Sequence, residues 1–198
     1  MKYFLIFLTI VFLSGCTTVV PTVTEYRIIS FKPSFVKNDG TCKDKSLKIA
    51  QAFSSSSLMS NHMNYAQGKT KQYAYSQANW SESPNIAISE ELFKHIRATK
   101  LFKSVLNSKS RTKSDLILEI NIEDFMQYFN DDSTSSYVVV AVNLTLLDAK
   151  NSRVIATDAF SSKVDTKTLD AEGGVEALSD ALKNVINQSL IWLDGVCN

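Results

Sequence analysis

Histidine is scarce in this chain. Only His62 and His95 occur in 198 residues, which leaves little material for the proton-transfer and metal chemistry that most often recruits imidazole. No His-x-x-x-His, Cys-x-x-Cys or carboxylate set at ligand spacing occurs, so neither a metal nor another cofactor is expected. There is no glycine-rich phosphate loop. Six glycines and three prolines exclude collagenous or proline-rich character. The formal charge is only +1, and the charges are mixed in sign with no basic block, which argues against a nucleic-acid binder or a trap for acidic substrates. A membrane-spanning run of about 20 apolar residues is also missing.

The single long apolar run is FLIFLTIVFL, residues 4–13. Lys2 precedes it, and Leu13, Ser14, Gly15 and Cys16 close it. A short positive start, an apolar stretch of about 7–15 residues and small residues at the end define a secretory signal rather than a span. The closing tetrapeptide resembles the lipobox of bacterial lipoproteins. Small residues at Ser14 and Gly15 would fit extended backbone into the peptidase, and the Cys16 thiol would receive a diacylglyceryl group before cleavage just ahead of it. The expected organisation is a signal peptide over residues 1–15, a lipidated tether over 16–23, and one domain over 24–198. Because neither Thr17 nor Thr18 is aspartate, the common lipoprotein sorting rule points to the outer membrane of a Gram-negative envelope, facing the periplasm.

Three cysteines are present. With Cys16 assigned to lipid, Cys42 and Cys197 are left in an oxidising compartment. That setting favours a disulfide between them, the alternative being two free or intermolecular thiols near the chain ends.

Periodicity then orders the body. Residues 24–30 (TEYRIIS) read as a first strand, residues 32–44 as a loop and residues 45–53 as a second strand. Segments 63–66 and 72–78 flank Gln67-Gly68-Lys69 as a candidate hairpin, and the two-residue period puts Tyr73 and Tyr75 on one face. Ser83 and Pro84 supply a helix start. Ile88, Leu92 and Ile96 then form one apolar stripe on a helix over 84–99. Alternation of Leu116, Leu118, Ile120 and Ile122, and of Val138, Val140, Val142, Leu144 and Leu146, marks two strands with one buried face each. A third strand over 153–164 alternates less cleanly. The polar turns between these three predict an antiparallel meander. A final helix over 170–193 carries Val175, Leu178, Leu182, Val185, Ile186 and Leu190, with Gly173 and Gly174 weakening its first turn. The expected fold class is α+β: a two-layer sandwich of a mostly antiparallel sheet with two main helices on one face.

Candidates for chemistry are few. The run Ser54–Ser57 lacks a Gly-x-Ser-x-Gly elbow and reads as linker or cap. His95 lies beside the apolar stripe and is expected at a boundary or on the surface. Asp131 with Asp132, and Glu119 with Glu123, read as solvated carboxylates. Tyr73, Tyr75 and Trp80 could stack on a sugar or base, but no basic residues interleave among them as nucleic acid would require. They are assigned to the core or to an interaction surface. No enzyme is expected.

The segment Tyr75-Ser-Gln-Ala-Asn-Trp80-Ser-Glu-Ser-Pro84 resembles the Tyr…Trp…Pro segment of the ABC-type transport auxiliary lipoproteins. Leu92 and Leu101-Phe102 match the leucine-rich stripe that follows there, and Trp192-Leu193 matches the Trp-Leu pair at the end of the last helix. The resemblance implies a non-catalytic lipoprotein. Such a protein would work with an MCE-domain protein and ABC transporter or permease subunits to move lipids or hydrophobic compounds between membranes. A two-layer α/β fold goes with it, while homo-oligomers built on a sheet edge stay open, since nothing in the pattern selects one. A lipoprotein that scaffolds or activates cell-wall synthesis is the competing expectation, since it would show equally little chemistry.

Overall fold

A computed structural model describes residues 21–32 and 40–198. Its spine is one long strand, β7 (Leu116–Phe129). Along one edge β7 pairs antiparallel with β8 (Ser136–Asp148), which pairs antiparallel with β9 (Arg153–Asp165). This is the meander expected from the sequence. The other edge of β7 is tiled end to end by three short strands running parallel to it. These are β2 (Ser46–Ile49), β3 (Phe53–Ser54) and β4 (His62–Gln67). Outside them, β6 (Ser104–Leu106) joins β2, while β5 (Lys71–Trp80) joins β4 and carries β1 (Thr24–Tyr26) at the rim. The long pairings are antiparallel and the short ones mostly parallel, giving one mixed sheet of nine strands.

Two helices, α1 (Pro84–Thr99) and α2 (Ala171–Val196), cover one face. Their apolar stripes meet Leu118, Ile120, Ile122, Val140, Val142 and Leu144 in a single buried cluster. The α+β two-layer expectation therefore holds. A bulge in β7 between Ile122 and Asp124 moves the inward parity from even to odd residues, so Phe125, Gln127 and Phe129 continue the same buried face.

Two local readings are corrected. The single strand expected over 45–53 is broken, because helix α1 takes over its hydrogen bonds: the Ala52 N–H donates to Ser89 Oγ at 2.8 Å and Asn85 Nδ2 donates to the Ala52 carbonyl at 3.5 Å. The strand expected over 24–30 stops at Tyr26. Beyond it, residues 27–32 lie across both helices as a strap. Phe31 stacks on His95 of α1 at 4.1 Å, and the Ile29 N–H donates to Ser179 Oγ of α2 at 3.0 Å.

Cys42 and Cys197 are bonded to each other. The approach there is close: the Thr41 hydroxyl donates to the Cys197 carbonyl at 2.6 Å, and a Cβ on Gly40 would collide with that same oxygen. No helix among the described residues is long and apolar enough to cross a membrane.

Candidate functional site

Cys16, Thr17 and Thr18 lie outside the described residues, as does most of the tether. The described body offers three features that could serve a function. They are the strap with its charged cluster, an aromatic ladder at one end of the sheet, and the sheet face without helices.

The strap is pinned by Glu91. Its carboxylate accepts from Ser30 Oγ at 3.0 Å and from Lys94 Nζ at 2.8 Å, and His95 Nε2 lies 3.3 Å away. Burial opposes ionisation of Glu91, but His95, Lys94 and Ser30 outweigh it and hold the carboxyl down at about 2. His95 is 2 % exposed, so the boundary or surface position expected for it is corrected: Phe31 of the strap covers the imidazole. Between strap residues 27–30 and the start of α1 a cleft of about 460 Å³ opens, with Trp80 at its floor and Arg27, Glu82 and Glu90 at its rim.

Trp80 belongs to the core. It is 4 % exposed and tilts against Phe125 at 5.6 Å. Tyr73 and Tyr75 do share a face, as their spacing required. Tyr65 of β4 packs against both, at 5.5 and 4.6 Å, and its edge meets Phe129 at 5.4 Å. Tyr73 and Tyr75 have odd numbers and Trp80 an even one. They reach the same side of β5 because its pairing with β4 shifts register between His62 and Asn64. Tyr75 is anchored through its hydroxyl, which donates to Gln127 Oε1 at 2.9 Å. Burial, followed by the neighbouring Tyr65 and Asp170, raises its pKa above the ordinary phenol value. Gln127 in turn donates to Ser136 Oγ at 3.0 Å, and a Cβ on Gly174 would collide with Gln127 Oε1. Gly174 thus allows α2 to rest on this network, a packing role that helix propensity alone did not reveal. Tyr73, 43 % exposed, is the rung left open to a partner.

On the helix-free face, Tyr128 Oη donates to Asp124 Oδ2 at 2.6 Å and the Tyr128 ring stacks on Tyr137 at 5.4 Å. Lys163 Nζ sits 3.6 Å above the Tyr137 ring. Burial raises the Asp124 carboxyl, against the lowering effect of its bonds from Tyr128 and the Phe125 amide. Phe53, opposite Asn121 on the same face, is 69 % exposed. Sequence spacing had not singled out any of these residues. The bulge in β7 hides their alternation, and Phe53 had been read as the end of a longer strand.

The serine-rich segment and the start of α1 are built from local contacts. Ser56 to Leu58 form a single 3-10 turn, and the Ser55 and Ser57 hydroxyls hydrogen-bond each other at 2.9 Å. Ser83 stands at the N-terminus of α1 with Pro84 next, yet its hydroxyl donates to Asn85 Oδ1 rather than capping a helix amide. No group of three potential metal ligands occurs among the described residues.

The family model of the ABC-type transport auxiliary lipoprotein component matches residues 37–188. The chain belongs to this family. No curated protein sequence matches it significantly. Among solved structures, a protein from Xanthomonas campestris superposes with a TM-score of 0.78 at 16% identity, over 88% of this chain and 96% of that one. A second, uncharacterised protein gives a TM-score of 0.65 at 12% identity, over 87% and 99%. At these identities the likeness is one of fold. The family is one of transport auxiliary components and not a known enzyme family.

Proposed function

We propose that this chain is the membrane-anchored, non-catalytic docking subunit of an intermembrane transport system. It works with an MCE-domain protein and ABC transporter or permease subunits to move lipids or other hydrophobic compounds. The observation that carries this reading is the family match over residues 37–188. The sequence around Cys16 supports the anchor. Diacylglyceryl transfer to the thiol, followed by acylation with a further chain such as palmitate, would place two or three chains on one residue. Each buried CH₂ contributes about 0.8 kcal/mol, and stable attachment takes more than one chain. The anchor holds the domain at the outer membrane, facing the periplasm.

In this role the helix-free sheet face is the docking surface. It carries Phe53 standing out of it and the Tyr128–Tyr137–Lys163 stack, which offers ring and cation contacts of the kind enriched at interfaces.

Affinity capture of the full chain from native membranes tests the proposal. Wild type is expected to bring down MCE and transporter subunits, and mass analysis of the mature N-terminus to find Cys16 carrying two or three acyl chains. Phe53→Glu is expected to lower recovery about tenfold, a loss of about 1.4 kcal/mol, without loss of folded protein. Failure to recover any such subunit, under conditions that preserve other envelope complexes, overturns the transport reading. An unmodified Cys16 overturns the anchor.

A further inference from the structure

A second cleft, of about 270 Å³, adjoins the first at Glu90 and Lys94 and lies between α1, the end of β2 and the loop at 107–109. Its apolar lining comes from Ile49, 2 % exposed, and from Ile86 and Phe93 of α1. Its charged lining is lopsided. Arg97 lies over the Phe93 ring at 4.9 Å, and Lys109 of the loop lines the same cleft. Neither forms an ion pair among the described residues. Lys94 is already neutralised by Glu91 at 2.8 Å, and Glu90 is the only acid lining the cleft. The local balance is therefore one uncompensated positive charge beside an apolar slot, in a chain whose overall charge is nearly zero.

The geometry points to a binding site for a long-chain carboxylate: one acyl segment against Ile49, Ile86 and Phe93, with its carboxylate at Arg97 and Lys109. Several features decide for this occupant. An apolar slot rimmed by cations fits an amphiphile with its charge at one end. The volume falls just under the about 300–1,000 Å³ of pockets that enclose a whole drug-sized ligand, so it accommodates a single chain and not a diacyl lipid with its headgroup. A guanidinium presents paired donors that match a carboxylate in a bidentate manner. The net single positive charge suits a monoanion, and Glu90 disfavours a dianionic phosphate monoester. The inference rests on the transport reading only in that it names a ligand class for such a subunit.

The test is photo-labelling of the full chain in its own membrane with a dodecanoate carrying a terminal diazirine, followed by peptide mapping. Labelling is expected to saturate, to fall within residues 86–97 and 107–109, and to be competed by plain dodecanoate but not by dodecyltrimethylammonium. Arg97→Gln combined with Lys109→Gln is expected to reduce labelling about tenfold. Ile86→Trp, which fills the slot without changing charge, is expected to abolish it, with thermal melting reporting whether each variant is folded. Equal competition by the ammonium compound, stronger competition by dodecyl phosphate than by dodecanoate, labelling spread over the surface, or wild-type labelling of the folded double variant would each overturn the site. Capture of transport subunits by the same variants is read separately. Capture without labelling removes only the ligand assignment, and labelling without capture removes only the transport reading.

Discussion

Glu91 is the residue on which the strap depends. Three groups from two segments converge on its carboxylate, and its pKa is held down at about 2 against an ordinary value of 4.5. A carboxyl whose pKa is lower in the folded protein stabilises fold at pH values above its unfolded pKa. That stabilisation is lost as pH falls through the folded one. Wild type is therefore expected to be more stable than Glu91→Gln by about 1–3 kcal/mol near neutral pH. The gap should close between about pH 4.5 and pH 2. Denaturant melts of both proteins across that range provide the check. A gap independent of pH would show that packing, and not charge, holds the strap. The burial of His95 is not legible in the sequence for a physical cause: its neighbour Phe31 comes from a segment 64 positions earlier, and no helical period reports on a covering strap.

At the scale of elements, β7 and α2 fix the architecture, and they differ in how far the sequence discloses them. The alternation from Leu116 to Ile122 and the stripe from Val175 to Leu190 were readable because each buries one face against a continuous partner. Two of the short strands were not readable as separate elements. β3 has two residues and β6 three, too few to show a period, and their partners lie far along the chain. The β7 bulge is likewise silent in sequence, since Glu123-Asp124 looks like any polar pair. Gly174 shows the same distinction. Propensity alone says that alanine should strengthen the first turn of α2 by about 1 kcal/mol, whereas a Cβ would push on Gln127 Oε1, the end of a side chain that hydrogen bonds to Tyr75 and Ser136 hold in place. Overpacking costs about 1–3 kcal/mol, so Gly174→Ala is expected to destabilise on balance. The Tyr75–Gln127 hydrogen bond should also loosen, visible as a change in tyrosine absorbance. An increase in melting temperature would reverse the assignment.

For the whole molecule, the Cys42–Cys197 bond closes a loop spanning 155 positions. The pairing was one of two outcomes open from sequence, chosen by compartment and elimination. Such a long loop gives about 5 kcal/mol in the chain-entropy picture, and removal of native disulfides commonly costs about 2–5 kcal/mol. Reduction is expected to lower stability within that range while leaving the helix signal intact in native buffer. Calorimetry with and without reductant measures it, and an unchanged melting profile would contradict it.

The position of this bond has a mechanical consequence. Everything between residues 42 and 197 forms a covalently closed body, and the three-residue edge strand β1 and the strap lie before it in the chain. Tension entering from the N-terminal side meets β1 and its pairing with β5 first, and then the contacts at Ile29, Ser30 and Phe31. These contacts are non-covalent and lie outside the closed loop, so they give way before the disulfide does. A pull that frees the leading segment therefore forfeits the Glu91 contacts and uncovers His95, while residues 42–197 stay joined as one body.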